Sequence, residues 1–220
     1  MHAPAAGTIS PPGAPVIRAG LALLAAYLVG AIPFGLLLGR LGGVDVRRVG
    51  SGNIGATNVL RSRGPAAGLA TLGFDASKGA VAVVGAVMIA PGSAWVPAAA
   101  GFAAVLGHCY PVYLGFRGGK GVATATGVYL VLSPWAALTT AASALGAIAW
   151  SRMVSVGSIL GAIAFPIIAG AFGDRLVAFW AIPTAGVILW RHRENLARIR
   201  RGRENRIGGS GRRPDEGRSE

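Results

Sequence analysis

Lys, Arg, Asp and Glu are absent from residues 79–107 and 127–151, and apolar residues fill both windows almost without a break. A helix with one wet face carries polar positions every three or four residues, so these runs predict helices surrounded by lipid or by other helices. A span needs about 20 apolar residues, fewer where helices are short, bent or locally thin the bilayer. Spans are therefore expected near 17–39, 77–91, 94–114, 122–134, 135–150, 156–172 and 176–191. Ser133-Pro134 divides what would otherwise be one helix over 122–150, because proline interrupts the hydrogen-bond ladder. The expected fold class is all-α: a polytopic membrane protein of about seven transmembrane helices.

Charge sets the expected orientation. In this threading Arg40, Arg47, Arg48, Arg61, Arg63, Lys78, Arg117, Lys120, Arg152, Arg191 and Arg193 fall on one face, leaving Arg18, Asp174 and Arg175 on the other. The positive-inside rule makes the first face cytoplasmic, with the N-terminus outside and the C-terminus in the cytoplasm. The expected location is the cytoplasmic (inner or plasma) membrane. Gly, Ala, Ser and Thr recur through the spans, which lets backbones approach closely where lipid supplies no hydrophobic drive for association.

Composition narrows the field further. Of 220 residues 53% are hydrophobic and 13% charged, a balance that excludes an ordinary soluble domain. The net charge of +13 raises nucleic-acid binding, but the basic residues lie between spans rather than along a reading surface, so no nucleic acid is expected. Cys109, the single cysteine, excludes an intrachain disulfide and a cysteine-cluster metal site. No metal and no cofactor are expected. Residues 1–15 are rich in proline and lack the charged start and apolar core of a cleaved signal, so they read as a flexible tail. Residues 206–220 are polar and glycine-rich and read as a disordered basic tail, leaving 16–205 as the membrane domain.

Three cytoplasmic segments carry chemistry. In VGSGNIGATNVLR, residues 49–61, Gly50, Gly52 and Gly55 have the spacing of a dinucleotide-binding turn, but no strand precedes them and no βαβ unit surrounds them. What remains is backbone N–H exposed beside Ser51, Asn53, Thr57 and Asn58, with Arg61 suited to bidentate phosphate contact: an anion cradle. The bland alternative is a glycine-rich turn whose polar groups cap short helices. In GHCYPVYLGFRGGKGVATATG, residues 107–127, Gly118, Gly119 and Gly121 surround Lys120. A Walker loop is excluded, since Gly115 to Lys120 is one residue short and Val122 replaces Ser or Thr. Bare amides at a helix start with one lysine nonetheless suit an anion.

The third segment, WRHRENLARIRRGREN over 190–205, reads as a basic amphipathic helix on the membrane surface. That explains the later arginines but not His192 and Asn195, three apart at the bundle's end. Ser155 and Ser158, before the sixth span, share that spacing, with capping as their bland role. His108 reads as a structural hydrogen-bonder, and Asp75 and Lys78, three residues apart, as a mutually neutralising pair on one helix face.

Together SGNIGATNVLR at 51–61, GHCYPVYLGFRGGKGVAT at 107–124 and HRENLARIRRGRE at 192–204 resemble the bacterial acyl-phosphate:glycerol-3-phosphate acyltransferase family, PlsY, over roughly residues 20–205. The resemblance implies a seven-helix membrane enzyme with a cytoplasmic active site that moves an acyl chain from acyl phosphate to glycerol 3-phosphate. The products are lysophosphatidic acid and phosphate, the first step of phospholipid synthesis. It implies catalytic roles for Ser51, Lys120, His192 and Asn195, and phosphate binding by Ser51, Arg61, Lys120 and Ser158, with Ser158 preferred to Ser155; the bare-amide reading of the second loop adds Gly118 and Gly119 to the phosphate site. Membrane lipids and an enzyme that makes acyl phosphate are the implied partners. Ile199 stands where the family usually has leucine. The His-x-x-x-x-Asp dyad of the other glycerolipid acyltransferase class is absent, and the hydroxyl proton is left to either a substrate phosphate oxygen or His192. The competing class is a transporter or flippase for a phosphorylated metabolite, which would use the same cradle without breaking a bond; its expected marks are midplane charges and paired broken helices.

Overall fold

The computed structural model describes residues 13–208; the residues of the two expected tails beyond these limits lie outside the described part. Among the described residues the regular structure is helical: α1 (Ala14–Gly30), α2 (Phe34–Leu41), α3 (Ala56–Arg63), α4 (Pro65–Ile89), α5 (Val96–Cys109), α6 (Val122–Leu132), α7 (Pro134–Ser151), α8 (Val154–Ala171), α9 (Arg175–Arg191) and α10 (Arg193–Arg200). By length and apolarity three stretches are long enough to cross a membrane, Ala14–Leu41, Pro65–Ile89 and Val154–Ala171. The outer surface carries Leu24, Leu69, Val84, Met88, Leu145, Ile167 and Phe179 exposed, which suits lipid rather than water.

Two expected spans change shape. The stretch 17–39 is broken into α1 and α2 at Ile32–Pro33, because proline lacks the N–H that would continue the ladder. The carbonyl of Ile32 then accepts a hydrogen bond from Lys78 Nζ at 2.8 Å. The span expected at 77–91 begins at Pro65, whose fixed φ suits a first helical turn. The Asp75–Lys78 pair, 2.7 Å apart and buried, lets α4 carry two charges through its middle. The break at Ser133-Pro134 stands as expected, and the Ser133 hydroxyl bonds the Asp174 carboxylate at the start of α9.

Close backbone approach builds the bundle. α4 packs on α6 so tightly that a Cβ on Gly79 would collide with the Thr124 carbonyl and one on Gly127 with the Ala76 carbonyl. Small residues thus do in lipid what large apolar ones do in a soluble core. Alanines of α1, α4 and α5 form one packed cluster. A second joins Val83, Val105, Val128, Tyr129, Phe165 and Ile188, with Tyr129 stacked on Phe165 at 3.6 Å. A third, Leu36, Val46, Ile54 and Val59, fastens the loop between α2 and α3 to the bundle end.

Candidate active site

The segments connecting the helices at that end meet around a polar cavity of about 190 Å³. In the first loop Gly50 and Gly52 take φ of 62° and 67°, values that side chains with a Cβ rarely adopt, so the chain doubles back. Asn58, 2% exposed, holds this turn. Its Oδ1 accepts from the Ser51 amide at 3.0 Å, while Nδ2 donates to the carbonyls of Val46 at 2.8 Å, Asn53 at 2.9 Å and Val49 at 3.0 Å. Asn58 is therefore the loop's internal fastener rather than an anion ligand, and Asn53 Oδ1 is likewise taken up by the Gly55 amide at 2.8 Å. Ser51 and Arg61 line the cavity with their side chains exposed.

The second loop departs from expectation at Gly118 and Gly119. Their amides donate to the carbonyls of Cys109 at 3.2 Å and His108 at 3.0 Å, so they are not bare donors for phosphate. Their carbonyls accept from Arg191, at 2.6 Å for Gly118 and 2.9 Å for Gly119. The glycines fold the loop flat against the end of α5, and Arg191 clamps it from α9. The product of this arrangement is the placement of Lys120, whose Nζ meets Asn195 Oδ1 at 2.5 Å.

His192 separates α9 from α10, and its Nδ1 lies 2.8 Å from the Ile188 carbonyl. A carbonyl only accepts, so Nδ1 carries the hydrogen and Nε2 keeps its lone pair. Burial, with Lys120 nearby, pushes the imidazole down to about 4 against the bond to Ile188, leaving it neutral at pH 7. Burial also brings Lys120 down to about 8, helped by the Arg198 charge and opposed by Glu204 and Glu194. A bound anion works against both shifts.

Glu204 completes the cluster. Its carboxylate accepts from Asn195 Nδ2 at 2.7 Å and Arg198 Nε at 2.8 Å. Burial works to raise this carboxyl, but hydrogen bonds from Asn195 and Arg198, with the Arg198 charge, hold it below its usual range. The chain beyond it stays attached: Ile207 donates its amide to Arg152 at 2.7 Å and accepts from the Arg152 guanidinium at 2.8 Å. The chain thus stays hydrogen-bonded to the bundle as far as Ile207.

Ser155 and Ser158 both border the cavity. Ser155 is buried toward Glu204, whereas Ser158 also lines an adjoining apolar groove of about 420 Å³ between α4, α6, α7 and α8. Thr57, Leu72, Val122 and Thr126 belong to both walls as well. On the outer side an open vestibule of about 970 Å³ carries Arg47, Arg48, Arg117, Arg191 and Arg193 down to Ser51 and Lys120.

The structure thus gathers Ser51, Arg61, Lys120, Ser158, His192 and Asn195 around one cavity and leaves Gly118 and Gly119 behind it as support. Sequence reasoning gave Arg198 only a membrane-surface role, gave Glu204 none, and kept Asp75 and His108 away from the site, yet all four border the cavity. The signal for Asp75 was available: an ionisable residue inside an apolar span marks function more often than structure.

A helical bundle with a lipid-suited exterior, one polar cavity at its end and an apolar groove opening from it defines a membrane protein built to bring an anion beside an aliphatic chain. The model of the glycerol-3-phosphate acyltransferase family matches residues 20–202, and the chain belongs to that family. The glycerol-3-phosphate acyltransferase of Geobacter sulfurreducens is 50% identical over 183 residues, covering 83% of this chain and 94% of its own. That of Geobacter metallireducens is 48% identical over 188 residues, covering 85% and 96%. Among solved structures, PlsY (YgiH), an integral membrane glycerol 3-phosphate acyltransferase in its glycerol 3-phosphate form, is similar with a TM-score of 0.82 and 44% identity over 86% of this chain and 96% of that one. The lysophosphatidic acid form of that protein gives a TM-score of 0.81 at 43% identity.

Proposed function

We propose that this chain transfers an acyl group from acyl phosphate to glycerol 3-phosphate, giving lysophosphatidic acid and phosphate at the cytoplasmic face of the membrane. The observation that carries this reading is the junction of the polar cavity with the apolar groove along Thr57, Leu72, Val122, Thr126 and Ser158, a meeting place for a phosphorylated alcohol and an acyl chain. Arg61, Lys120, Arg191 and Arg198 converge at one end of the bundle, which supports a cytoplasmic site; about seven spans, an outside N-terminus and an inside C-terminus complete this reading. Membrane lipids surround the bundle, and an enzyme that makes acyl phosphate supplies the donor.

The chemistry follows from the side chains. The phosphate of glycerol 3-phosphate sits against Lys120, with Ser51, Arg61, Ser158 and Asn195 as further donors, while the acyl chain lies in the groove. The C1 hydroxyl of glycerol 3-phosphate attacks the acyl carbonyl, the new C–O bond forms, and the bond to phosphate breaks with its electron pair on the departing oxygen. His192, neutral and with Nε2 open, accepts the hydroxyl proton. Because the acyl donor is a mixed anhydride with a good leaving group, positioning and charge stabilisation account for most of the rate. No enzyme nucleophile is required.

Purified protein in detergent, given acyl phosphate and labelled glycerol 3-phosphate, is expected to form lysophosphatidic acid. Binding of glycerol 3-phosphate without product, together with its movement across reconstituted vesicles, would favour a transporter instead.

A further inference from the structure

Asp75 is the buried ionisable group that this mechanism leaves unused. It sits midway along α4, 2% exposed, and forms part of the polar cavity's wall. Its Oδ1 lies 2.7 Å from Lys78 Nζ, a buried ion pair, and 3.6 Å from His108 Nδ1. Lys78 gives another of its three N–H donors to the Ile32 carbonyl at 2.8 Å. The ion pair balances the carboxylate's charge, and because a carboxylate accepts from about four directions, accepting capacity remains beside the cavity. A pair that served only to let α4 cross the membrane would have no need of a place on the cavity wall. His108, also buried with Nδ1 unpartnered, backs the carboxylate from α5, and a Cβ on Gly119 would collide with its ring, so the lysine loop holds it in place.

We propose that Asp75 accepts a hydrogen bond from the C2 hydroxyl of glycerol 3-phosphate and thereby selects the substrate and its handedness. This rests on the acyl-transfer reading above. The phosphate is held toward Lys120 and Asn195, and the reacting C1 hydroxyl must reach the groove junction at Thr57, Leu72 and Ser158. Asp75 borders the polar cavity but not the groove, so it faces the carbon between those two ends. Three points of attachment on one carbon skeleton distinguish mirror images, which two cannot.

The test compares glycerol 3-phosphate with 3-hydroxypropyl phosphate, which keeps phosphate and C1 hydroxyl but lacks the C2 hydroxyl. The full chain in detergent is expected to prefer glycerol 3-phosphate by about tenfold or more in kcat/KM, the usual worth of a hydrogen bond to a charged acceptor. The double variant Asp75→Leu/Lys78→Met removes the pair together and leaves no lone buried charge, and it should bring that preference to about parity. A variant that slows both acceptors equally and keeps the preference would show Asp75 to be structural and overturn the proposal. If the variant does not fold, the wild-type protein decides alone: equal thermal stabilisation by the two phosphates overturns the proposal. Preferential stabilisation by glycerol 3-phosphate without turnover would keep the Asp75 contact and sink acyl transfer.

Discussion

Replacing Lys120 by methionine keeps the aliphatic stem and removes the charge. In the free protein Lys120 is half-buried, its ammonium bonded to Asn195, and burial lowers it from the ordinary lysine range to about 8. A displacement of that size corresponds to roughly 3 kcal/mol of disfavoured charging, because each pH unit represents about 1.4 kcal/mol. A bound phosphate must overcome that cost and restore the full charge, so the contact is made in a partly desolvated setting where a charge-assisted hydrogen bond is worth about 1.5–3 kcal/mol or more. Lys120→Met is therefore expected to lower kcat/KM for glycerol 3-phosphate by about a hundredfold, with larger loss if the charge also stabilises the transition state. The assay is lysophosphatidic acid formation by purified protein whose helical content and thermal transition match the wild type. A properly folded Lys120→Met protein within fivefold of wild-type kcat/KM would refute the assignment of Lys120 as the phosphate's principal partner.

Further outcomes are expected. kcat/KM for glycerol 3-phosphate should fall tenfold per unit above about pH 8 as Lys120 loses its proton, and Lys120→Arg, if active, should flatten that limb; a wild-type profile level to pH 9.5 would contradict it. His192 has the opposite consequence for stability: with its folded value near 4 and an unfolded value near 6.5, the unfolded chain binds more protons between them, so this residue's contribution is present above 6.5 and is lost as pH falls. A thermal transition in detergent that drops less between pH 6.5 and 4 in His192→Asn than in the wild type is the expected sign. Asn58→Asp should destabilise the first loop and lower activity by at least about tenfold, because three carbonyls then face an acceptor in place of the donating Nδ2; unchanged turnover would show the fastener dispensable. Removal of residues 209–220 should leave specific activity intact, whereas removal of 204–220 should abolish it by freeing Asn195 and Arg198. Direct transfer predicts no acyl adduct on protein incubated with acyl phosphate alone and an active Cys109→Ala, since burial makes that thiol part of the core.

What the sequence determined by itself is what depends on local composition. Charge-free runs and the Ser133-Pro134 break follow from the cost of placing unpaired polar groups in lipid, which each segment bears wherever it packs. The glycine motifs, His192 and Asn195 were legible as candidates for chemistry, since polar groups and bare backbone stand out at the edge of an apolar span. Which atoms meet was decided by the tertiary structure. Glycines 118 and 119 look like anion donors in sequence, but the approach of α5 and Arg191 consumes their amides and carbonyls. Asp75 and Lys78 read as a self-contained pair, yet the packing of α4 on α5 sets His108 against them and opens the carboxylate to the cavity. Glu204 lies nine residues from Asn195 and joins it only because the chain after α10 turns back and is pinned at Arg152. Hydropathy is a property of each residue in its solvent, whereas hydrogen-bond partnership depends on which distant backbone arrives first, and only the folded chain contains that information.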